Sequence, residues 1–134
     1  MNEPEVVRRS ETDFIQSVAQ RRMRAPLLLV AAIASEVVGT TALKLSDGFT
    51  DPLPSLVVVL GYGASFYALS LVLTDLPVGV VYATWAALGI VATATVGVLV
   101  FDETLDLPGV AGITFIIAGV VVLALFSDAY TPAH

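Results

Sequence analysis

Cysteine is absent from this chain of 134 residues, and histidine occurs once, as His134 at the last position. The first absence excludes a disulfide framework and any thiolate metal site. The second excludes histidine-based catalytic triads and nearly all zinc sites. Charge is scarce too: 13% of the residues are Asp, Glu, Lys or Arg, against about 25% in a soluble domain. Lys44 is the only lysine, and the net charge of −6 leaves no basic face for a nucleic-acid partner. There is no G-x-x-x-x-G-K phosphate loop and no dinucleotide fingerprint. Neither enzymatic chemistry nor a metal or organic cofactor is expected, and energy from ATP is not expected to enter through this chain.

Apolar residues are what the chain does have: 57% of the total, with a mean hydropathy of +0.89. A chain of this length makes one domain, and a small soluble domain leaves too much surface in water to hide so much apolar material. Lipid is the simplest solvent for it. Four apolar stretches stand out. Ala25 to Leu43 carries one charge, Glu36, whereas Leu53 to Leu73, Leu76 to Phe101 and Leu107 to Ser127 carry none. Each approximates the ~20 residues that a helix needs to cross a ~30 Å hydrocarbon core. Helices are expected at about 26–45, 54–73, 77–100 and 108–127. Together they make a transmembrane domain of residues 25–128, followed by a short tail, 129–134.

Three breaks separate the stretches: Ser46 to Pro52, Thr74 to Pro77, and Asp102 to Pro108. Pro54, Pro77 and Pro108 fall where a first helical turn tolerates proline. Such short links force neighbouring helices to run antiparallel, with both termini on one side. The expected fold is therefore an all-α bundle of four transmembrane helices in the cell membrane. Residues 1–24 differ, being polar with five arginines and four acids. Val7, Phe14, Ile15 and Val18 fall near a helical period, so an interfacial helix and a disordered tail are both open. No signal peptide is expected, because no short apolar core with a cleavage site precedes Ala25.

Glu36 is the charge that needs explaining. A carboxylate near the middle of a membrane helix costs about 2.5–3.5 kcal/mol on insertion scales. Glu36 lies ten residues beyond Pro26, near the midplane, and no basic residue is placed to neutralise it. Lys44 is two turns further on, where it can snorkel. Glu36 must then face a partner chain, a water-filled cavity or a ligand. Removal from water disfavours the ionised form of any carboxylic acid. Such a group can hold a proton or balance a cation but not both at once, and that exclusion is the physical basis of exchange. The plainer alternative is a protonated Glu36 hydrogen-bonded to Ser35, Thr40 or a carbonyl.

One turn before and after Glu36, Ala32, Ile33, Gly39 and Thr40 share its helix face, and Leu29 and Leu43 extend the stripe. These small residues leave room for a neighbouring helix or a ligand. The second helix offers Tyr62, Ser65 and Phe66, and the third Tyr82, Trp85 and Gly89. Aromatic faces beside an acid suit a lipophilic cation, although an interfacial aromatic belt would use the same residues. On the fourth helix Gly112 and Gly119 are one heptad apart, with Ile116 and Leu123 along the stripe. That pattern serves a dimer contact or packing within one chain. One acid and few polar groups make a thin lining for a pathway. A homodimer would bring two copies of Glu36 to one cavity, where they would titrate as a coupled pair. From a different class, a non-transporting assembly or rotor subunit could also use one buried acid, but a rotor hairpin needs only two helices.

Ala34-Ser35-Glu36-Val37-Val38-Gly39-Thr40-Thr41-Ala42-Leu43-Lys44, followed by Asp47-Gly48-Phe49-Thr50, resembles the first-helix signature of small multidrug resistance transporters. Gly61-Tyr62-Gly63-Ala64-Ser65-Phe66 resembles their second helix, and the run from Leu76 to Gly89 their third. The fourth-helix glycines match as well, so the resemblance spans residues 26 to about 128. It implies a dimer of two inverted four-helix protomers that exports cationic compounds against inward proton flow. It also implies that the Glu36 pair binds protons or drug, that Tyr62, Tyr82 and Trp85 surround the substrate, and that Gly112 to Val120, with Ile116 and Gly119, form the dimer contact. The expected partners are hydrophobic cations, protons and membrane lipid. Gly39 and Tyr62 resemble the quaternary ammonium branch rather than the guanidinium-exporting one.

The sequence also departs from the family pattern. A Gly-x-Gly of the third helix reads Ala87-Leu88-Gly89 here, leaving Gly89 alone to loosen the helix. Pro26 replaces an aromatic residue at the start of the first helix. Residues 1–22 have no counterpart, and they bear on topology. Arg8, Arg9, Arg21, Arg22 and Arg24 on the terminal side oppose Lys44 alone, which favours cytoplasmic termini and one orientation. A single orientation would prevent an antiparallel homodimer. The expectation is that Met23 is the functional start, or that the tail is otherwise kept from fixing topology. A fixed orientation would instead call for an oppositely oriented partner chain.

Overall fold

The computed structural model describes residues 3–127, so the tail expected at 129–134 lies outside the described residues. Four helices follow in order: α1 (Glu3–Leu45), α2 (Pro52–Val72), α3 (Val78–Phe101) and α4 (Leu107–Phe126). All four are long and apolar enough to cross a membrane. The ends of α2, α3 and α4 fall within two residues of the sequence expectation. Proline and aspartate mark their starts. Asp51 caps α2 by accepting from the Leu53 amide at 3.2 Å, and Asp106 caps α4 by accepting from the Gly109 amide at 2.9 Å. Pro77 occupies the position before α3 without a side-chain cap.

The first helix departs from expectation. It does not begin near Pro26 but runs unbroken from Glu3, so residues 3–24 are neither a separate surface helix nor an irregular tail. The physical reason is local. No glycine or proline lies between Glu5 and Ala25. Thr12 and Ser17 donate to carbonyls of their own helix, at 2.9 Å to Arg9 and 2.8 Å to Phe14, instead of breaking it. Pro26 removes one amide from the ladder without ending the helix. At about 1.5 Å per residue, the 43 residues of α1 reach about 65 Å, roughly twice a ~30 Å hydrocarbon core.

The turn after α1 reverses direction through three successive left-handed residues, Asp47, Gly48 and Phe49, with φ of 46°, 68° and 67°. Ser46 anchors it: the fully buried hydroxyl donates to the Leu43 carbonyl at 2.8 Å and accepts from the Phe49 amide at 3.2 Å. The α3–α4 link folds back on α3, where the Glu103 amide donates to the Gly97 carbonyl at 3.0 Å. The Glu103 side chain accepts from the Lys44 ammonium at the end of α1, which also lies 4.2 Å from the centre of the Phe101 ring. This cluster ties α1 to the far end of α3.

Helix α1 packs along α2 over much of its membrane length and less extensively on α3, while α4 rests chiefly on α3. The core is correspondingly small. Leu29 and Ile33 of α1 meet Val72 of α2 and Val81 of α3, with Leu28, Val37, Leu69, Leu76 and Trp85 around them. Val58, Ser65 and Val72, spaced by sevens, form the buried seam of α2. The closest approach is between two glycines. A Cβ placed on Gly61 would stand 2.9 Å from the Gly39 Cα and 3.0 Å from the Ser35 carbonyl oxygen. Helix α4 has no buried residue.

Candidate functional site

Between Ala25 and Leu45, and throughout α2, α3 and α4, Glu36 is the only acidic side chain. It is half-buried on the face of α1 turned toward α3, and its Oε2 accepts a hydrogen bond from the indole N–H of Trp85. Trp85 lies two turns into α3, where the short Leu73–Pro77 link brings α3 back against α1. Gly89 follows one turn later. A Cβ placed there would sit 4.0 Å from Glu36 Oε2 and 3.6 Å from Trp85 Cδ1, in ordinary van der Waals contact with both. Helix α3 continues unbroken through Gly89.

Two open clefts meet at this carboxylate. One, of about 420 Å³, is lined by Glu36, Trp85, Ala86, Gly89, Ile90, Thr93 and Ala94. The other, of about 360 Å³, is lined by Glu36, Phe66, Leu69, Leu73, Val78, Val81, Tyr82, Trp85 and Ala86. Apart from the carboxylate, the Thr93 hydroxyl and the aromatic polar tips, both are apolar. One acid held by one N–H donor between apolar walls and aromatic rings can balance a hydrophobic cation or take up a proton.

The ten other residues expected to line a pocket divide sharply. Phe66, Tyr82 and Trp85 join Glu36 in the clefts; Tyr82 is 76% exposed and Phe66 61%. Leu29, Ala32 and Ile33 are buried in the packing of α1 against its neighbours. Gly39 is buried, but its space is taken by the Tyr62 ring, 3.1 Å from a Cβ placed there. The room left by the small residue therefore admits a helix. Tyr62 and Thr40 are joined by a 2.9 Å hydrogen bond between their hydroxyls, and Tyr62 stacks on Phe66 at 6.4 Å. Ser65 is fully buried in the α2 seam, and its hydroxyl has no partner. Gly112, Ile116 and Gly119 lie on the exposed surface of α4, and nothing stands within 4 Å of a Cβ placed on either glycine. Val120 is half-buried. The Gly112–Gly119 stripe thus takes no part in packing within the chain.

Sequence reasoning missed Gly61, although a glycine beside Tyr62, facing Gly39, is the mark of a close crossing. It also missed Ala86, Ile90 and Thr93. Carrying the period of Tyr82, Trp85 and Gly89 one turn further along α3 would have reached Thr93.

Four membrane-crossing helices around one carboxylate define a small multi-pass integral membrane protein. Comparison with known proteins narrows the class. Residues 25–116 match the family model described as Small Multidrug Resistance protein. The chain is 50% identical to the quaternary ammonium compound-resistance protein QacE of Escherichia coli, over 80% of this chain and 97% of that one. It is 53% identical to a multidrug transporter of Pseudomonas aeruginosa, over 77% of this chain and 94% of that one. The multidrug resistance protein EbrB of Bacillus licheniformis is 48% identical, over 75% of this chain and 85% of its own. The chain belongs to the small multidrug resistance family, and it is a multi-pass transporter of the plasma membrane.

Proposed function

We propose that this protein exports lipophilic and quaternary ammonium cations in exchange for protons, and that Glu36 binds either the proton or the cation. The observation that carries this reading is the Glu36–Trp85 contact at the meeting of two apolar clefts. A cation seated there has the carboxylate for charge balance and the indole and phenol faces for its apolar surface. A proton on Glu36 removes that balance, so the two ligands compete for one site. The names of the relatives, which include quaternary ammonium and ethidium bromide resistance, support this substrate class. Gly39 and Tyr62, packed against each other, are the pair by which the chain resembles the quaternary ammonium branch.

The functional unit in this reading is an antiparallel homodimer of chains that start at Met23, or whose tail is otherwise kept from fixing topology. Both clefts are open at one side, and a second copy would close them and supply a second Glu36. The exposed Gly112–Gly119 stripe is the surface on which such a copy would seat. The five arginines of the tail favour the heteromeric alternative, in which a partner chain of opposite orientation replaces the second copy.

The test is exchange in proteoliposomes with an acidic lumen and a radiolabelled quaternary ammonium outside. Wild type should accumulate the cation as protons leave, and Glu36→Gln should not. Accumulation by Glu36→Gln at the wild-type rate would overturn the proposal.

A further inference from the structure

We infer that Thr93 is a second polar contact of the Glu36 cleft, and that it favours cations carrying an N–H group over those that carry none. The inference rests on the cation-binding reading of Glu36. In a membrane a hydroxyl without water needs an internal partner. A helical threonine usually finds one by donating to the carbonyl four residues earlier. Three threonines of the spanning helices do so: Thr41 to Val37 at 2.7 Å, Thr95 to Val91 at 2.7 Å and Thr114 to Val110 at 2.8 Å. The Thr40 hydroxyl is hydrogen-bonded to that of Tyr62. Thr93 makes no such bond among the described residues, although the Gly89 carbonyl lies in register for it. Thr84 is also unbonded, but it lines neither cleft at Glu36.

Thr93 is exposed and is among the residues lining the larger cleft. Gly89, beside the carboxylate, is four residues away, which places Thr93 about 6 Å further along α3. The wall around it is Ile90, Ala94 and Ala86, none of which offers a polar side-chain atom. Besides the indole N–H, which is already bonded to Glu36, the residues lining the cleft include two with polar side chains: Glu36 and, one turn beyond Gly89, Thr93. A planar aromatic cation can set its charge at Glu36 and reach Thr93 with a substituent on its far edge. If that substituent is an amine, its N–H donates and the Thr93 oxygen accepts. A tetraalkylammonium or phosphonium has no such hydrogen and takes nothing from Thr93 beyond contact.

A matched pair of dyes tests this on the full chain in detergent. Ethidium carries two aromatic amines, whereas 5-ethyl-6-phenylphenanthridinium has the same charged ring system without them. Thr93→Val keeps the shape and removes the hydroxyl, and Thr93→Ser restores it. Thr93→Val should weaken ethidium binding about fivefold, as for one ordinary hydrogen bond. It should leave the amine-free dye unchanged, and Thr93→Ser should recover ethidium affinity. Equal weakening of both dyes, or of neither, would overturn the inference. If Glu36→Gln binds both dyes as wild type does, the carboxylate reading itself has failed, and the role of Thr93 falls with it.

Discussion

Alanine at position 61 should force α1 and α2 apart. A Cβ there would meet the Gly39 Cα at 2.9 Å, the Gly39 nitrogen at 3.0 Å and the Ser35 carbonyl oxygen at 3.0 Å. All three are backbone atoms of α1, so no side-chain rotation relieves the contact. Carbon atoms pack best at about 3.5–4.0 Å, so α1 and α2 must separate by roughly 0.6–1 Å. Overpacking of this kind costs about 1–3 kcal/mol. Any glycine-to-alanine change in a helix also gains about 1 kcal/mol of propensity, which would mask part of the loss.

Gly63 provides the control, because it lies in the same helix with nothing within 4 Å of its added Cβ. The propensity gain cancels between the two variants. Gly61→Ala should therefore be less stable than Gly63→Ala by about 1–3 kcal/mol, measured by circular dichroism as denaturing detergent is titrated into mild micelles. Gly39 is three residues after Glu36, so the same shift should move the carboxylate against Trp85 and weaken cation binding. Gly61→Ala matching Gly63→Ala in both stability and binding would refute the close-crossing argument.

Two further outcomes follow from the packing and the charge distribution. The Thr40–Tyr62 hydrogen bond of 2.9 Å should make Tyr62→Phe and Thr40→Val each cost about 1 kcal/mol. The double variant should cost little more than either one, and additive losses would show that the bond contributes nothing. Deleting residues 2–22 removes four of the five arginines on the terminal side. With a cysteine introduced at Gly48, in a chain that has none of its own, thiol labelling from one side should find a single orientation for the full chain and both orientations for the shortened one. The same distribution in both chains would contradict the charge argument.

The spanning helices were legible because their signals are local. Charge-free runs set their lengths, and Asp51, Asp106 and the nearby prolines mark their starts. Glu36 was legible because a lone acid in such a run has no ordinary use. What the helical period could not reveal was which neighbour each residue of the Glu36 stripe would meet. Gly39 and Thr40 share a face with Glu36, yet the crossing at Gly61 presses that part of α1 onto Tyr62 of α2. The carboxylate, a turn earlier, is left facing α3. Leu29 and Ile33 were absorbed by the same packing. Thr93 was overlooked for the opposite reason, since a hydroxyl in an apolar helix usually folds onto its own backbone. The continuation of α1 back to Glu3 was hidden by Pro26, which reads as a helix start although a membrane helix can carry a proline in its interior.

If one carboxylate serves proton and cation in turn, cation binding must displace a proton, and that release can be measured. Tetraphenylphosphonium should be titrated into the purified protein in two buffers of different ionisation enthalpy, over a series of pH values, and the heats compared. Binding should release protons from wild type, affinity should fall as the pH is lowered, and Glu36→Gln should show neither effect. Binding of equal strength at every pH, with no proton released by wild type, would contradict it.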